Sequence, residues 1–310
     1  MLVIHRHTDR MPSRRAVLLG GAGVLAAGAA GAGTAVYEGW VPGRPEVQEL
    51  LGLNGEAGKI PDVDPANVEE GSFVSERRGG ADTGFAVVTP LTAAAGLPLV
   101  VALHGRGGDH RTPVGPKLRI ERFLEDHVER GGTPFAIATV DGGESYWHER
   151  PDGEDAGAMV VEELLPMLAE RGLRCTPSDR VGLLGWSMGG YGALRLGGLL
   201  GADRVAAVCA VSPAMWADPA DASSSGFADA AEYEEFTVQG RQEELDGIPV
   251  RVDCGTGDQF YRAVEDYVEA FPDGADLEAT FEPGAHDPAY WRRLLPDELG
   301  FLGSRVASTA

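Results

Sequence analysis

The stretch Val181-Gly182-Leu183-Leu184-Gly185-Trp186-Ser187-Met188-Gly189-Gly190-Tyr191-Gly192-Ala193 changes character at its centre. An apolar run suited to a buried strand, 181–184, meets G-x-S-x-G at 185–189, and a helix-like run follows to residue 200. A turn this tight leaves no room for side chains beside the serine, and Gly185 and Gly189 supply none. It lifts the Ser187 hydroxyl clear of the sheet and sets it at a helix N-terminus, where N–H groups and partial positive charge gather. With 44 glycines in 310 residues, the five letters alone arise easily by chance. The strand before and the helix after carry the weight against the plainer reading, a glycine-rich turn with Ser187 as N-cap.

Outward from this point, short β-branched runs alternate with longer amphipathic ones. Residues 85–88, 99–103, 135–140, 181–184, 205–211 and 250–253 read as strands. Residues 117–129, 155–169, 187–200 and 259–270 read as helices. The alternation predicts an α/β fold with a mostly parallel central sheet covered by helices on both faces, in one domain over 81–305. Residues 213–245 break the pattern and predict a small cap or lid. Residues 38–80, rich in Gly, Pro and acids, predict a linker or irregular N-terminal wrap.

A serine hydroxyl at neutral pH needs a base to take its proton and a carboxylate to orient that base. Asp258, in the turn Gly255-Thr256-Gly257-Asp258 after one predicted strand, is the expected acid. His286, in Pro283-Gly284-Ala285-His286-Asp287 after another at 277–281, is the expected base. Both fall at strand C-terminal ends, the edge where α/β sites collect. Asp253 alternates within a strand and reads as structural, and Asp287 is too close along the chain to receive the His286 Nδ1–H. His110 and His127 have no strand-end context, and His104 belongs to a different element. The loop His104-Gly105-Arg106-Gly107-Gly108 follows another strand, so the backbone N–H of Arg106 (its neighbouring glycines being alternatives) and that of Met188 are the expected oxyanion donors. Residues 141–148 place aromatics at the same edge, for the cleft or for loop packing. His104, Asp141 and His148 lack metal-ligand spacing, and neither metal nor cofactor is expected.

The 43% apolar and 24% charged residues describe a folded globular body. A formal charge of −22, from 26 Lys+Arg against 48 Asp+Glu, repels phosphate backbones and argues against nucleic acid as a partner. Three widely spaced cysteines, Cys175, Cys209 and Cys254, make no disulfide framework, although one pair stays open. Ser13-Arg14-Arg15 followed by the uncharged run 16–37 resembles a twin-arginine export signal, which implies the twin-arginine export machinery as a partner for residues 1–37. The apolar run is long enough to stay as an anchor, so membrane contact is expected only through an uncleaved N-terminus. Gly21-Ala22-Gly23-Val24-Leu25-Ala26 matches a dinucleotide-binding pattern, but the Gly and Pro residues that follow break any strand–helix–strand unit.

Taken together, His104-Gly105-Arg106-Gly107, the motif around Ser187, the 255–260 turn and Gly284-Ala285-His286-Asp287-Pro288-Ala289-Tyr290-Trp291 resemble the α/β-hydrolase superfamily. The resemblance covers 83–303. Within the superfamily it points to serine esterases related to S-formylglutathione hydrolases, feruloyl-type esterases and actinobacterial mycolyltransferases. It implies an α/β-hydrolase fold, Ser187, Asp258 and His286 on the triad positions, and Arg106 and Met188 on the oxyanion positions. The expected activity is that of an exported, extracellular or cell-envelope carboxylic ester hydrolase acting through an acyl-enzyme on a small-molecule or lipid ester. Two alternatives are an acyltransferase of mycolyltransferase type and a non-catalytic binding protein on the same scaffold. The loop after His104-Gly105 departs from the mycolyltransferase pattern, so transfer to trehalose is not implied.

Overall fold

The computed structural model describes residues 3–6, 44–92 and 95–307. Arg14-Arg15 and the apolar run 16–37 lie outside them. Nine strands form one sheet: β1 (Val3–Arg6), β2 (Asn67–Ser75), β3 (Ala81–Thr89), β4 (Leu99–Leu103), β5 (Ala136–Val140), β6 (Val181–Trp186), β7 (Val205–Val211), β8 (Val250–Gly255) and β9 (Leu277–Glu282), in the order β1-β9-β8-β7-β6-β4-β5-β3-β2. β2 and β3 run antiparallel to their neighbours, and every other pairing is parallel. This is the α/β-hydrolase fold.

The chain steps from β4 to β5 on one side and then crosses to β6 on the other. Winding therefore reverses at β4, and the loops after β4 and β6 diverge there. A crevice at such a switch point is where open α/β sheets bind ligands.

β4 to β8 are buried at every position. Alternate residues of one strand feed different cores, as the two-residue side-chain period requires. Val101 and Leu103 join Leu183, Val208 and Val252 on one face, against the helix Met188–Leu200. Val100 and Ala102 join Leu184, Cys209, Leu295 and Leu299 on the other.

In chain order the helices are α1 (Arg44–Leu50), α2 (Ile120–Glu129), α3 (Ala156–Met159), α4 (Leu165–Glu170), α5 (Met188–Leu200), α6 (Ala230–Phe236), α7 (Tyr261–Glu269) and α8 (Pro288–Ala307). Asp155 caps α3 by accepting from the Ala158 amide at 2.8 Å. A π turn at Val160–Leu164 joins α3 to α4, where Pro166 has no N–H to give to the preceding turn. The helix expected from residue 117 begins at Ile120, because Arg119 takes a left-handed φ of 57°.

The irregular wrap expected at 38–80 is corrected by α1 and β2. β2 is an edge strand exposed along most of its length, so no alternation of apolar and polar residues marked it. Residues 3–6, expected within the export segment, add a parallel strand beside β9. Cys175, Cys209 and Cys254 are all buried free thiols, which closes the disulfide option.

Candidate active site

Ser187 stands between β6 and α5 with φ 57° and ψ −118°, backbone geometry that a non-glycine residue holds only when its surroundings impose it. They do so here through three backbone bonds. Its N–H donates to Val211 O at 2.9 Å, and its carbonyl accepts from the amides of Tyr191 at 3.1 Å and Ala214 at 3.0 Å. The flanking glycines are demanded by space. A Cβ on Gly185 would lie 2.0 Å from Gly189 O, and one on Gly189 would lie 2.0 Å from Leu103 O.

The turn after β8 carries Asp258, and the turn after β9 carries His286. These positions, 99 and 28 residues from their partners along the chain, meet above the sheet: His286 Nε2 is 2.9 Å from Ser187 Oγ, and His286 Nδ1 is 2.7 Å from Asp258 Oδ2. The Asp258 side chain is wholly buried, and its Oδ1 accepts from the Phe260 amide at 2.9 Å. A carboxylate facing Nδ1 holds the imidazole proton there and leaves Nε2 as an acceptor toward the serine hydroxyl. The ring is gripped edge-on by Phe260 and Trp291, each with centroids 5.3 Å away. Trp291 is itself fixed by a 3.1 Å bond from Nε1 to Ser212 Oγ.

Gly105 approaches Ser187 closely enough that an added Cβ would sit 3.3 Å from Ser187 Cβ. The loop is held in place by His104, whose Nδ1 donates to Gly105 O at 2.8 Å and whose Nε2 accepts from the Gly142 amide at 3.0 Å. Those two bonds require the neutral ring. Burial lowers the His104 pKa and keeps it so. Met188 opens α5, so its amide is among those with no intrahelical acceptor. Arg106 lies on the Gly105 loop and borders the space above Ser187.

The family model named Esterase, described as "Putative esterase", matches residues 77–302. The chain belongs to the Esterase family.

No curated protein matches this esterase in sequence. Solved structures do in fold. A ferulic acid esterase is 22% identical over 78% of this chain and 99% of its own, with a TM-score of 0.63. An S-formylglutathione hydrolase from Agrobacterium tumefaciens is 20% identical over 81% and 100%, at 0.62. The fluorophosphonate-binding serine hydrolase FphF of Staphylococcus aureus is 19% identical over 77% and 99%, at 0.60. The chain is an esterase of the serine hydrolase type.

Two clefts meet at Ser187 and His286. One, of about 640 Å³, lies under the 213–245 insertion and is lined by Tyr146, Met215, Trp216, Asp221 and Phe260. The other, of about 570 Å³, runs between the Gly105 loop and the start of α8, over Pro288 and Trp291. The insertion is bound down by aromatic contacts: Tyr146 lies 5.7 Å from Trp216 and 5.5 Å from Phe227, and His148 stacks on Phe227 at 5.0 Å and on Phe236 at 4.3 Å.

Three supports of the site escaped sequence reasoning. Gln48 of α1 donates from Nε2 to Thr256 O at 3.0 Å, two residues before Asp258. Gly58 N donates to Ala289 O at 2.8 Å and Gly58 O accepts from Arg292 Nε at 2.8 Å, just beyond His286. The 44–60 segment is therefore a strap that touches the turn of Asp258 and the start of α8 just after His286. Trp291 and the His104 clamp are the other two. His104 and Trp291 stand in the stretches that carry the family resemblance, but nothing in the sequence marked their supporting contacts.

Behind the sheet, ligand atoms of Cys209, Asp253 and Glu298 lie within 4.8 Å of one another. Their chemistry does not suit a metal ion. Arg251 Nε already donates to Asp253 at 2.6 Å, and burial pushes the Cys209 thiol and the Glu298 carboxyl well up, which disfavours the deprotonated forms that a metal ion binds.

Proposed function

We propose that this chain is an exported carboxylic ester hydrolase that works through an acyl-enzyme on Ser187. The observation that carries the reading is the continuous relay from Ser187 Oγ through the His286 ring to Asp258, with distances of 2.9 and 2.7 Å, at the junction of two clefts. In the first half-reaction Ser187 Oγ bonds to the ester carbonyl carbon as its proton passes to His286 Nε2. Asp258 stabilises the resulting imidazolium without taking its proton. The carbonyl oxygen, now an oxyanion, accepts from the Arg106 and Met188 amides, each such donor being worth about 3 kcal/mol of barrier. His286 then gives its proton to the departing alkoxide, and the alcohol leaves. Water, deprotonated by the same Nε2, releases the acid and regenerates Ser187.

The two-cleft layout gives one side of the nucleophile to the acyl group and the other to the alcohol. A sugar or lipid alcohol seated on the alcohol side in place of water would make the enzyme an acyltransferase by the same steps. Export is supported by Ser13-Arg14-Arg15 and the apolar run after it. Replacing both arginines with lysine is expected to leave the protein inside the cell that makes it.

The test of the chemistry is a p-nitrophenyl ester panel together with a fluorophosphonate probe. The expected outcome is a burst of p-nitrophenol and a single labelled site. Ser187→Ala is expected to lower kcat by at least about 10⁴-fold and to abolish labelling. Unchanged turnover in Ser187→Ala would overturn the reading. Partition of the acyl group to added alcohols in preference to water would favour transfer.

A further inference from the structure

A protein with a formal charge of −22 presents repulsion to an approaching anion over most of its surface. The cleft between the Gly105 loop and α8 reverses that sign locally. Its lining carries three cations, Arg106, Arg111 and Lys117, against a single carboxylate, Asp109. Asp109 is turned into its own loop, where Oδ1 accepts from the Arg111 amide at 2.9 Å and from Thr112 Oγ1 at 3.5 Å. Arg111 spends its guanidinium on Glu70, at 2.9 Å in an exposed pair. Among the described residues, the side chains of Arg106 and Lys117 have no ion pair or hydrogen bond.

Position makes Arg106 informative. It borders both clefts, beside Ser187 in each. Its charge also reaches the Tyr146 phenol across the first cleft, where it acts against the burial that pushes that group up. Lys117 lines the same cleft, together with Pro288 and Trp291. A short apolar stem against Pro288 and Trp291 would let a terminal anion meet the cations of this cleft while the ester carbonyl stays at Ser187. A neutral ester leaves both cations in water and gains nothing from them.

We propose that the enzyme selects esters carrying a carboxylate or comparable anionic group a few bonds from the scissile carbonyl, held by Arg106 and Lys117 with Arg111 at the edge. The proposal rests on the ester-hydrolase reading of Ser187. The anion belongs to either the acyl or the alcohol part, since both flank the nucleophile, and the chemistry that recognises it is the same.

Two matched pairs test it, with kcat/KM for each ester divided by its rate of hydrolysis by hydroxide. For the acyl side, the p-nitrophenyl monoester of glutaric acid is compared with p-nitrophenyl valerate. For the alcohol side, 4-acetoxybenzoate is compared with its methyl ester. At low salt at least one anionic member is expected to exceed its neutral partner about tenfold, the sum of two or three exposed pairs. The ratio is expected to shrink several-fold in about 1 M NaCl, where the screening length falls to about 3 Å. Arg106→Gln, and separately the double variant Arg111→Gln with Lys117→Gln, are expected to bring it toward one. The pair that responds assigns the anion to its side of the ester. Ratios at or below one in both pairs, or a ratio that survives the substitutions, overturn the proposal. Failure to turn over any ester, with no fluorophosphonate labelling, would instead overturn the hydrolase reading on which it stands.

Discussion

At Gly189 a hydrogen atom stands where any side chain would collide with backbone, since a Cβ there would lie 2.0 Å from Leu103 O. Neither partner can move cheaply. Leu103 ends a fully buried strand, and Gly189 lies in the first turn of the helix that follows Ser187 and its left-handed geometry. Gly189→Ala is expected to cost about 3 kcal/mol or more, with loss of fluorophosphonate labelling in whatever protein still folds. Gly300 is the control, because a Cβ there meets nothing within 4 Å and the position lies inside α8. Gly300→Ala is expected to stabilise by about 0.5–1 kcal/mol. Urea denaturation of the two variants reads both signs, and a neutral Gly189→Ala would show that the elbow has slack the contacts deny.

The strap and the 213–245 segment are elements whose stability bears on the site. Gln48 is buried and joins α1 to the turn before Asp258. Gln48→Ala leaves Thr256 O without that donor, so a stability loss of about 1–3 kcal/mol is expected. Because the acid turn loosens, kcat is expected to fall about tenfold with KM nearly unchanged. A drop in stability alone would make the strap purely structural.

His148 ties the 213–245 segment to the body by stacking on Phe227 and Phe236. Burial is the main cause that lowers its pKa from 6.5 to about 4, with Arg195 and Arg150 acting in the same direction. The folded state therefore keeps the ring neutral in a window where the unfolded chain takes up a proton. The unfolded state binds more protons there, so stability is lost as pH falls from 6.5 to about 4. The loss is of order 3 kcal/mol. Urea midpoints of His148→Phe are expected to fall less over that window than those of the parent, and an equal fall in both would remove His148 as the cause.

At the scale of the whole molecule, Glu298 of α8 is buried with neither carboxyl oxygen bonded, against a sheet face where Arg251 has already taken Asp253 as its partner. Burial and the nearby Asp253 raise its pKa well above 4.5. The folded state then holds a proton that the unfolded chain releases, and stability declines as pH rises above 4.5. The slope from one such proton is at most about 1.4 kcal/mol per pH unit. Glu298→Gln is isosteric with the protonated acid, so it is expected to match the parent near pH 4.5 and exceed it at pH 8 in thermal and urea melts. Equal stability at pH 8 would show that Glu298 is ionised in the folded protein.

The sequence by itself determined what depends on neighbours along the chain. The apolar run of β6, the glycines around Ser187 and the helix of α5 form one local unit, and the turns bearing Asp258 and His286 each follow a strand. These signals are short-range, because side-chain alternation and turn sterics act over a few residues. The parallel order of β6, β7, β8 and β9 is what brings 187, 258 and 286 to one sheet edge, and chain order was enough to anticipate that much. Only the tertiary structure decided the rest. β2 carries no periodicity because it is an exposed edge, and Gln48 earns its place through a contact 208 residues away. The sign of the charge around Ser187 likewise depends on which loops converge there. A net charge of −22 argues for an anion-repelling body, and it is packing that brings the stretch bearing Arg106, Arg111 and Lys117, neighbours along the chain, to a cleft bordered by Ser187.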